Sequence, residues 1–274
     1  MSDAKVLIID GDWVVFMMAF AANSQMKKDG KLMPIPLVLK LVDNYIDKLM
    51  RRLDATSYVF ILTGRNNFRK NIVYDHVPTT HKSYGQKAYK ANRKGTELPP
   101  YLNEIRLHLE DRHGALTEEF AEADDGLGIW VYANQDTSIL VACDKDLDMI
   151  PGKHYNPRKD EEYEVTEEGS LIFAATQILT GDSVDNIPSL YSAFGKKVTK
   201  KVRQEVVDQL HPARSKWLSA EIRAFEMACK TVETMYPDLN DLDVNKFCVR
   251  NRDLIWIHRD KAAMDSFIGR INGS

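Results

Sequence analysis

Four short segments of this 274-residue sequence carry carboxylates in positions suited to chemistry: Ile9-Asp10-Gly11-Asp12, Glu122-Ala123-Asp124-Asp125, Cys143-Asp144-Lys145-Asp146 and Gly181-Asp182-Ser183-Val184-Asp185-Asn186. Each follows an apolar run or opens a helix. A carboxylate at a helix N-terminus is an ordinary cap, since it accepts from unpaired backbone N–H groups and meets the positive end of the helix dipole. Gathered together, however, like charges are costly unless cations neutralise them. Carboxylate oxygens unaccompanied by His or Cys suit Mg²⁺ or Mn²⁺ rather than zinc. Two such ions about 3.5–4 Å apart activate water and stabilise the leaving oxygen in phosphodiester hydrolysis. The seven histidines fall at no paired ligand spacing and read as surface or core residues. No Gly-x-x-x-x-Gly-Lys-Ser/Thr loop is present to hold ATP.

The elements that must position these groups alternate between strand and helix. Lys5 to Ile9 is a short apolar run ending at Asp10, as in a buried parallel strand. Ile35 to Leu53 has Pro36 in its first turn and places Leu37, Leu41, Tyr45, Leu49 and Leu53 four apart, which predicts an amphipathic helix. Tyr58 to Leu62 reads as a second strand, Pro99 and Pro100 open a helix running to Gly114, and Ser138 to Cys143 is a third strand ending at Asp144. This pattern predicts an α/β fold with a mostly parallel sheet, and such sheets collect ligands outside the carboxyl ends of their strands. Asp10 and Asp144 both fall there. Beyond Glu167 the spacing is helical over 169–179, 196–210 and 216–235, with one further strand expected at Leu254 to Ile257. The predicted organisation is therefore an α/β core over 1–160 and a helical region over 161–274, joined between Pro151 and Glu168.

Charge is segregated along the chain. Net charge is −3, from 37 basic and 40 acidic residues, and so argues against a uniformly basic coat. Yet Arg65 to Lys94 holds eight basic residues against Asp75, Glu118 to Asp148 holds nine acids against Lys145, and Lys196, Lys197, Lys200, Lys201 and Arg203 form a second basic cluster. Each cluster alone is an ordinary solvated face. Two basic clusters around an acidic centre suggest a polyanion held against bound divalent metal. The longest apolar run, Trp13 to Ala22, is about half a membrane span, so no membrane partner is expected. Three widely spaced cysteines and no secretory leader pattern predict a reducing, cytoplasmic setting.

These motifs, in order, resemble the 5′-nuclease superfamily, the flap-endonuclease and 5′→3′ exonuclease group, with particular similarity to exonucleases of short-tailed bacteriophages. The resemblance rests on IIDGDWVVF from Ile8, YKANRK from Tyr89, EADD from Glu122, CDKDLDMIP from Cys143 and GDSVDNIP from Gly181, and covers about Lys5 to Arg203. It implies a PIN-like mostly parallel sheet flanked by helices, with a helical arch over about 80–98 and a helix-hairpin-helix-like C-terminal region. It also implies two Mg²⁺ or Mn²⁺ ions, one served by Asp10, Glu122 and Asp124 with Asp125 close by, the other by Asp144, Asp146, Asp182 and Asp185. Lys90 and Arg93 would approach the scissile phosphate, and Arg69, Lys87, Tyr89, Lys196, Lys197 and Lys200 would contact DNA. Arg clamps phosphate with paired hydrogen bonds, Lys acts as a point charge, and Tyr stacks on unpaired bases. The implied activity is hydrolysis at 5′ ends of duplex, flap or RNA-primed DNA during phage replication, in a bacterial host's cytoplasm, by a monomer.

Two positions depart from the resemblance. Thr63 stands where many relatives have an aspartate, and Gly195 is the only glycine in SLYSAFGKKVTKKV, so a potassium site in the hairpin is not expected. The alternative is a phosphatase of the haloacid-dehalogenase class, with Asp10 as nucleophile, Thr63 at a strand end and GDSVDN as metal motif. It leaves EADD and YKANRK without a role. A third reading, a binding scaffold that has lost catalysis, rests on Thr63 alone.

Overall fold

The computed structural model describes residues 4–72, 89–91, 95, 97–210 and 219–272. The chain divides into two units that interleave along the sequence, the first comprising Met1–Asn67, Gly95–Val165 and Ile257–Gly273, the second Phe68–Lys94 and Thr166–Trp256. The first unit leaves the chain at Val165 and takes it up again at Ile257. Segments from each half of the sequence complete the other. Most of the expected arch, including Lys87 and Arg93, lies outside the described residues.

In the first unit, strands β1 (Val6–Asp10), β2 (Ser57–Thr63), β3 (Leu116–Glu118), β4 (Ser138–Val141), β5 (Gly152–Asn156) and β6 (Glu161–Val165) form one sheet in the order β3-β2-β1-β4-β5-β6. All neighbours are parallel except β5 and β6. The central strand β1 is apolar from Val6 to Ile9 because both of its faces are covered, and it ends on Asp10. Leu7 and Ile9 join Phe60, Leu62, Ile139 and Val141 in a core with α1 (Gly11–Asp29), α2 (Ile35–Arg52) and α3 (Leu102–His113). In α2 the buried Val38, Val42, Ile46 and Leu49 recur at helical spacing, so one stripe packs inward. Helix α4 (Ala123–Ala133) packs against β1 and β2, where Ile8 and Ile61 are fully buried. Helix α10 (Lys261–Asn272) completes this unit.

The β5–β6 hairpin was not expected, since GKHYN and EEYEV are polar enough to read as loop. β6 is an edge strand of the sheet, and edge strands carry such residues because charge discourages pairing with another chain. The second unit is helical: α5 (Glu167–Thr180), α6 (Leu190–Phe194), α7 (Lys200–Asp208), α8 (Ala220–Met235) and α9 (Asp241–Ile255), with α5 packed against α7, α8 and α9. The strand expected at Leu254 to Ile257 is instead the end of α9 and its exit. Val244, Phe247, Cys248, Asn251, Leu254 and Ile255 continue one buried helical stripe, which a four-residue apolar window does not distinguish from a strand. No helix among the described residues is long and apolar enough to cross a membrane.

Candidate active site

The sheet delivers Asp10 and Asp144 to its carboxyl edge as expected. Asp10 is the last residue of β1, and α1 begins at the next residue, with the Trp13 N–H donating to Asp10 Oδ1 at 3.0 Å. Asp144 follows β4 and caps a short 3₁₀ turn, Lys145–Met149, by accepting from Asp146 N–H at 2.9 Å. Asp10, Asp12 and Asp144 line one cleft of about 450 Å³, with Trp13, Phe16, Cys143, Lys145 and Arg158. Asp12, Lys145 and Arg158 were not among the expected site residues. Lys145 and Arg158 bring positive charge to the same cleft.

Asp12 lies beside Thr63, the position where the resemblance implies an aspartate in many relatives. The Thr63 N–H donates to Asp12 at 3.2 Å and the Thr63 side chain bonds the same carboxylate. Arg106 stands 3.6 Å from Asp12. Thr63 Oγ1 also accepts from Ala123 N–H at 2.8 Å, at the start of α4. Its hydroxyl is thus committed to aligning the sheet edge with α4, which removes the role the phosphatase reading needs.

The carboxylates are electrically coupled. Burial, joined by the charges of Asp12 and Asp144 and opposed by hydrogen bonds from Trp13 and Asp12 N–H groups, pushes Asp10 up to about 7 from an ordinary 3.8. Burial also raises Asp12, against the Thr63 hydrogen bonds and the Arg106 charge, and Glu122 adds to the rise. Burial raises the Cys143 thiol too, so the soft donor in the cleft stays protonated. The donor set offered to a cation is therefore hard carboxylate oxygen, which fits Mg²⁺ or Mn²⁺.

This coupling gives a pH dependence with a definite sign. The folded value of Asp10 lies above its unfolded value, so the native state binds more protons between about pH 4 and 7 and this group's contribution to stability falls as pH rises through that window. In EDTA, Asp10→Asn should melt above wild type at pH 8, with the gap closing toward pH 4, while Mg²⁺ should restore wild type and not the variant. A gap independent of pH would contradict the burial of charge.

The other expected residues are placed with mixed results. Glu122, at the N-terminus of α4, is buried and accepts from Asn67 Nδ2 at 2.8 Å. Asp124 is partly exposed in the first turn of α4. Asp125, expected beside the first metal, is corrected: it is fully buried, with one oxygen accepting from Glu122 N–H at 3.3 Å and the other from His258 N–H at 3.0 Å. It caps α4 rather than facing a cation. Asp146 is near Lys145 Nζ, at 3.7 Å.

In the second unit, GDSVDNIP folds onto itself. Gly181, with a φ of 62°, turns the chain out of α5, and a Cβ there would meet Pro188 O at 2.4 Å. Asp182 and Ile187 then exchange backbone hydrogen bonds, and Asp182 Oδ1 accepts from Val184 N–H at 2.7 Å. Buried Asn251 donates to Ile178 O and Pro188 O, both at 2.7 Å, pinning the loop to α9. Lys90 donates its N–H to Asp185 O at 3.0 Å, and its Nζ lies 3.5 Å from the Asp185 carboxylate. Two motifs far apart in sequence thus meet.

Two expected DNA contacts are corrected. Arg69 is 2% exposed, its guanidinium donating to Leu254 O at 3.0 Å and Trp256 O at 2.7 Å, so it ties the chain to the end of α9. Tyr89 is 7% exposed, with Lys90 Nζ 4.9 Å from its ring centre, leaving little face for a base. Lys196 pairs with Asp238 at 2.8 Å, while Lys197 and Lys200 are exposed.

Thr63→Val should cost about 1–2 kcal/mol, because the Ala123 N–H loses its acceptor at a helix start. Thr63→Ser should stay near wild type in thermal melts. Equal stability of the two variants would count against the hydroxyl as the link.

No family model matches the sequence. An exodeoxyribonuclease of Enterobacteria phage T3 is 26% identical over 163 residues, covering 54% of this chain and 50% of the phage protein, so the chain spans about half the length of that curated relative. Among solved structures, a mutant of the phage T5 5′-exonuclease superposes with a TM-score of 0.51 at 14% identity over 98% of both chains. A T5 5′-exonuclease with bound zinc superposes with a TM-score of 0.51 at 18% identity over the same 98% shares. A phage T5 flap endonuclease, in a pseudo-enzyme–product complex with DNA and metal ions, gives 0.52 at 17% identity over 98% of both chains. The chain shares their fold.

Proposed function

Because this chain folds as the phage 5′-exonucleases do, we propose that it is a divalent-metal-dependent nuclease that hydrolyses phosphodiester bonds at 5′ ends of DNA. The observation that carries the reading is the carboxyl-edge cluster of Asp10, Asp12 and Asp144, with Asp10 pushed up to about 7 by burial and its neighbours' charges. Carboxylates gathered and buried in this way favour bound cations. Glu122 and Asp124 at the head of α4, Asp146 after β4, and Asp182 and Asp185 by their motif, complete the proposed ligands for two Mg²⁺ or Mn²⁺ ions. Such ions supply the charge that activates water and stabilises the leaving oxygen. The chain's own cations hold the substrate: Lys145 and Arg158 at the cleft, Lys90 and Arg93 toward the scissile phosphate, and Lys87, Lys197 and Lys200 along the backbone.

The test is a 5′-labelled duplex and a 5′-labelled flap incubated with and without Mg²⁺. Metal-dependent release of mononucleotides marks stepwise exonuclease action, and a single longer fragment marks flap cutting. Turnover of p-nitrophenyl phosphate with neither DNA cleaved would overturn the reading. Lys197→Ala/Lys200→Ala should flatten the dependence of log affinity on log salt by roughly 1.8, about 0.9 for each phosphate that is no longer neutralised.

A further inference from the structure

We propose that Asp43, His108 and His113 form a second metal site in the first unit, one that takes a borderline transition ion, Zn²⁺ foremost. None of the three lines the carboxylate cleft. Asp43 lies in α2 and both histidines in α3, yet Asp43 Oδ1 is 2.7 Å from His108 Nε2 and 2.9 Å from His113 Nε2. One ligand atom from each residue falls within 4.8 Å of the other two. A tetrahedral ion about 2.0–2.1 Å from each donor needs donors about 3.3 Å apart, which the two Asp43–His pairs reach by widening some tenths of an ångström and the His108–His113 pair by settling within its 4.8 Å limit.

The surroundings prepare this donor set for coordination. Tyr58 Oη is 2.9 Å from His113 Nδ1, and burial, with the charges of Asp43 and Asp47, keeps its phenol protonated. With Nδ1–H donating to that oxygen, His113 presents its Nε2 lone pair, the orientation that outer hydrogen bonds give to metal-bound imidazoles. Arg112 Nε lies 3.2 Å from Asp43 Oδ2, leaving Oδ1 as the single inward oxygen. The side chains of His108 and His113 are 13% and 8% exposed, against 30% for Asp43, so the ring nitrogens are held while the carboxylate side stays open for a water. Two imidazoles and one carboxylate select Zn²⁺, Co²⁺ or Ni²⁺ over Mg²⁺. The bound ion clips the last residue of α3 to the middle of α2.

The test uses the full chain, stripped with EDTA and desalted, in millimolar Mg²⁺ to occupy the carboxylate cleft. After Zn²⁺ addition and gel filtration, elemental analysis should find one zinc per chain in wild type and in Asp144→Asn. Asp43→Asn and His108→Gln should each weaken retention at least about 100-fold, beyond the 10–100-fold typical of losing an outer partner. Circular dichroism checks that each variant is folded. Co²⁺ added to wild type is the second measurement, needing no variant: nitrogen-ligated, low-coordinate cobalt absorbs visibly, whereas octahedral oxygen-bound cobalt is nearly colourless. Wild type that retains no zinc, equal retention by the histidine and aspartate variants and wild type, loss confined to Asp144→Asn, or colourless cobalt would each overturn the proposal. None of these outcomes bears on whether the protein cleaves DNA.

Discussion

Asp144→Asn is expected to lower Mg²⁺-dependent cleavage of 5′-labelled DNA at least about a thousand-fold, which is about 4 kcal/mol of transition-state stabilisation. The side chain sits at the cleft beside Asp10, and its charge is one of those that raise Asp10. Asn keeps the shape and the oxygen that accepts from Asp146 N–H. Only charge is removed, so the thermal midpoint in EDTA should hold or rise and DNA affinity, carried by basic residues elsewhere, should change little. A variant cleaving as fast as wild type would remove Asp144 from the metal set. A variant losing affinity and activity in equal measure would make its role one of binding.

Gly64→Ala should be the most damaging small substitution in the first unit. Gly64 follows β2, and a Cβ there would lie 2.1 Å from Glu118 O, 2.6 Å from Glu119 Cα and 2.6 Å from Glu119 O. All three contacts are backbone, so no side chain can swing aside, and either β2 or β3 must move. Overpacking of this kind costs about 3 kcal/mol, which for a chain of this size lowers the midpoint by roughly 6–12 °C. The shift falls on Thr63 and on the Glu118–Glu122 connection, so activity per folded molecule should also drop. Calorimetry alongside cleavage assays at low temperature separates the two effects. A midpoint within about 2 °C of wild type would mean the backbone yields cheaply there.

The parts legible in the sequence were those where one local pattern had one structural meaning. Apolar runs ending in Asp identified β1 and β4, and four-residue spacing identified α2, because burial on both faces or on one stripe leaves a direct mark. Polar strands left none, which is why β5 and the edge strand β6 read as loop. The placement of Asp10 at the end of its strand was legible because an apolar run stops there. The site was misread at Asp125 and Arg69, since a charge that satisfies buried backbone has the same letter as one that meets a ligand. Asp12 was read as part of its carboxylate segment but not as a site residue, since its hydrogen bonds come from Thr63, 51 positions away. Asp43, His108 and His113 were invisible for the same reason: the two histidines are five apart, which is no helical repeat, and the third donor lies 65 residues from the first histidine.

The hydrogen bond from His258 N–H to Asp125 joins residues 133 apart in the chain. Helix α4, which presents Glu122 and Asp124, is therefore tied through Asp125 to a segment translated 133 residues later. At roughly 5–20 residues per second a ribosome takes about 7–27 s to make that stretch. During that interval Asp125 has its local partner, the Glu122 N–H, but not the His258 N–H, a delay set by chain connectivity alone.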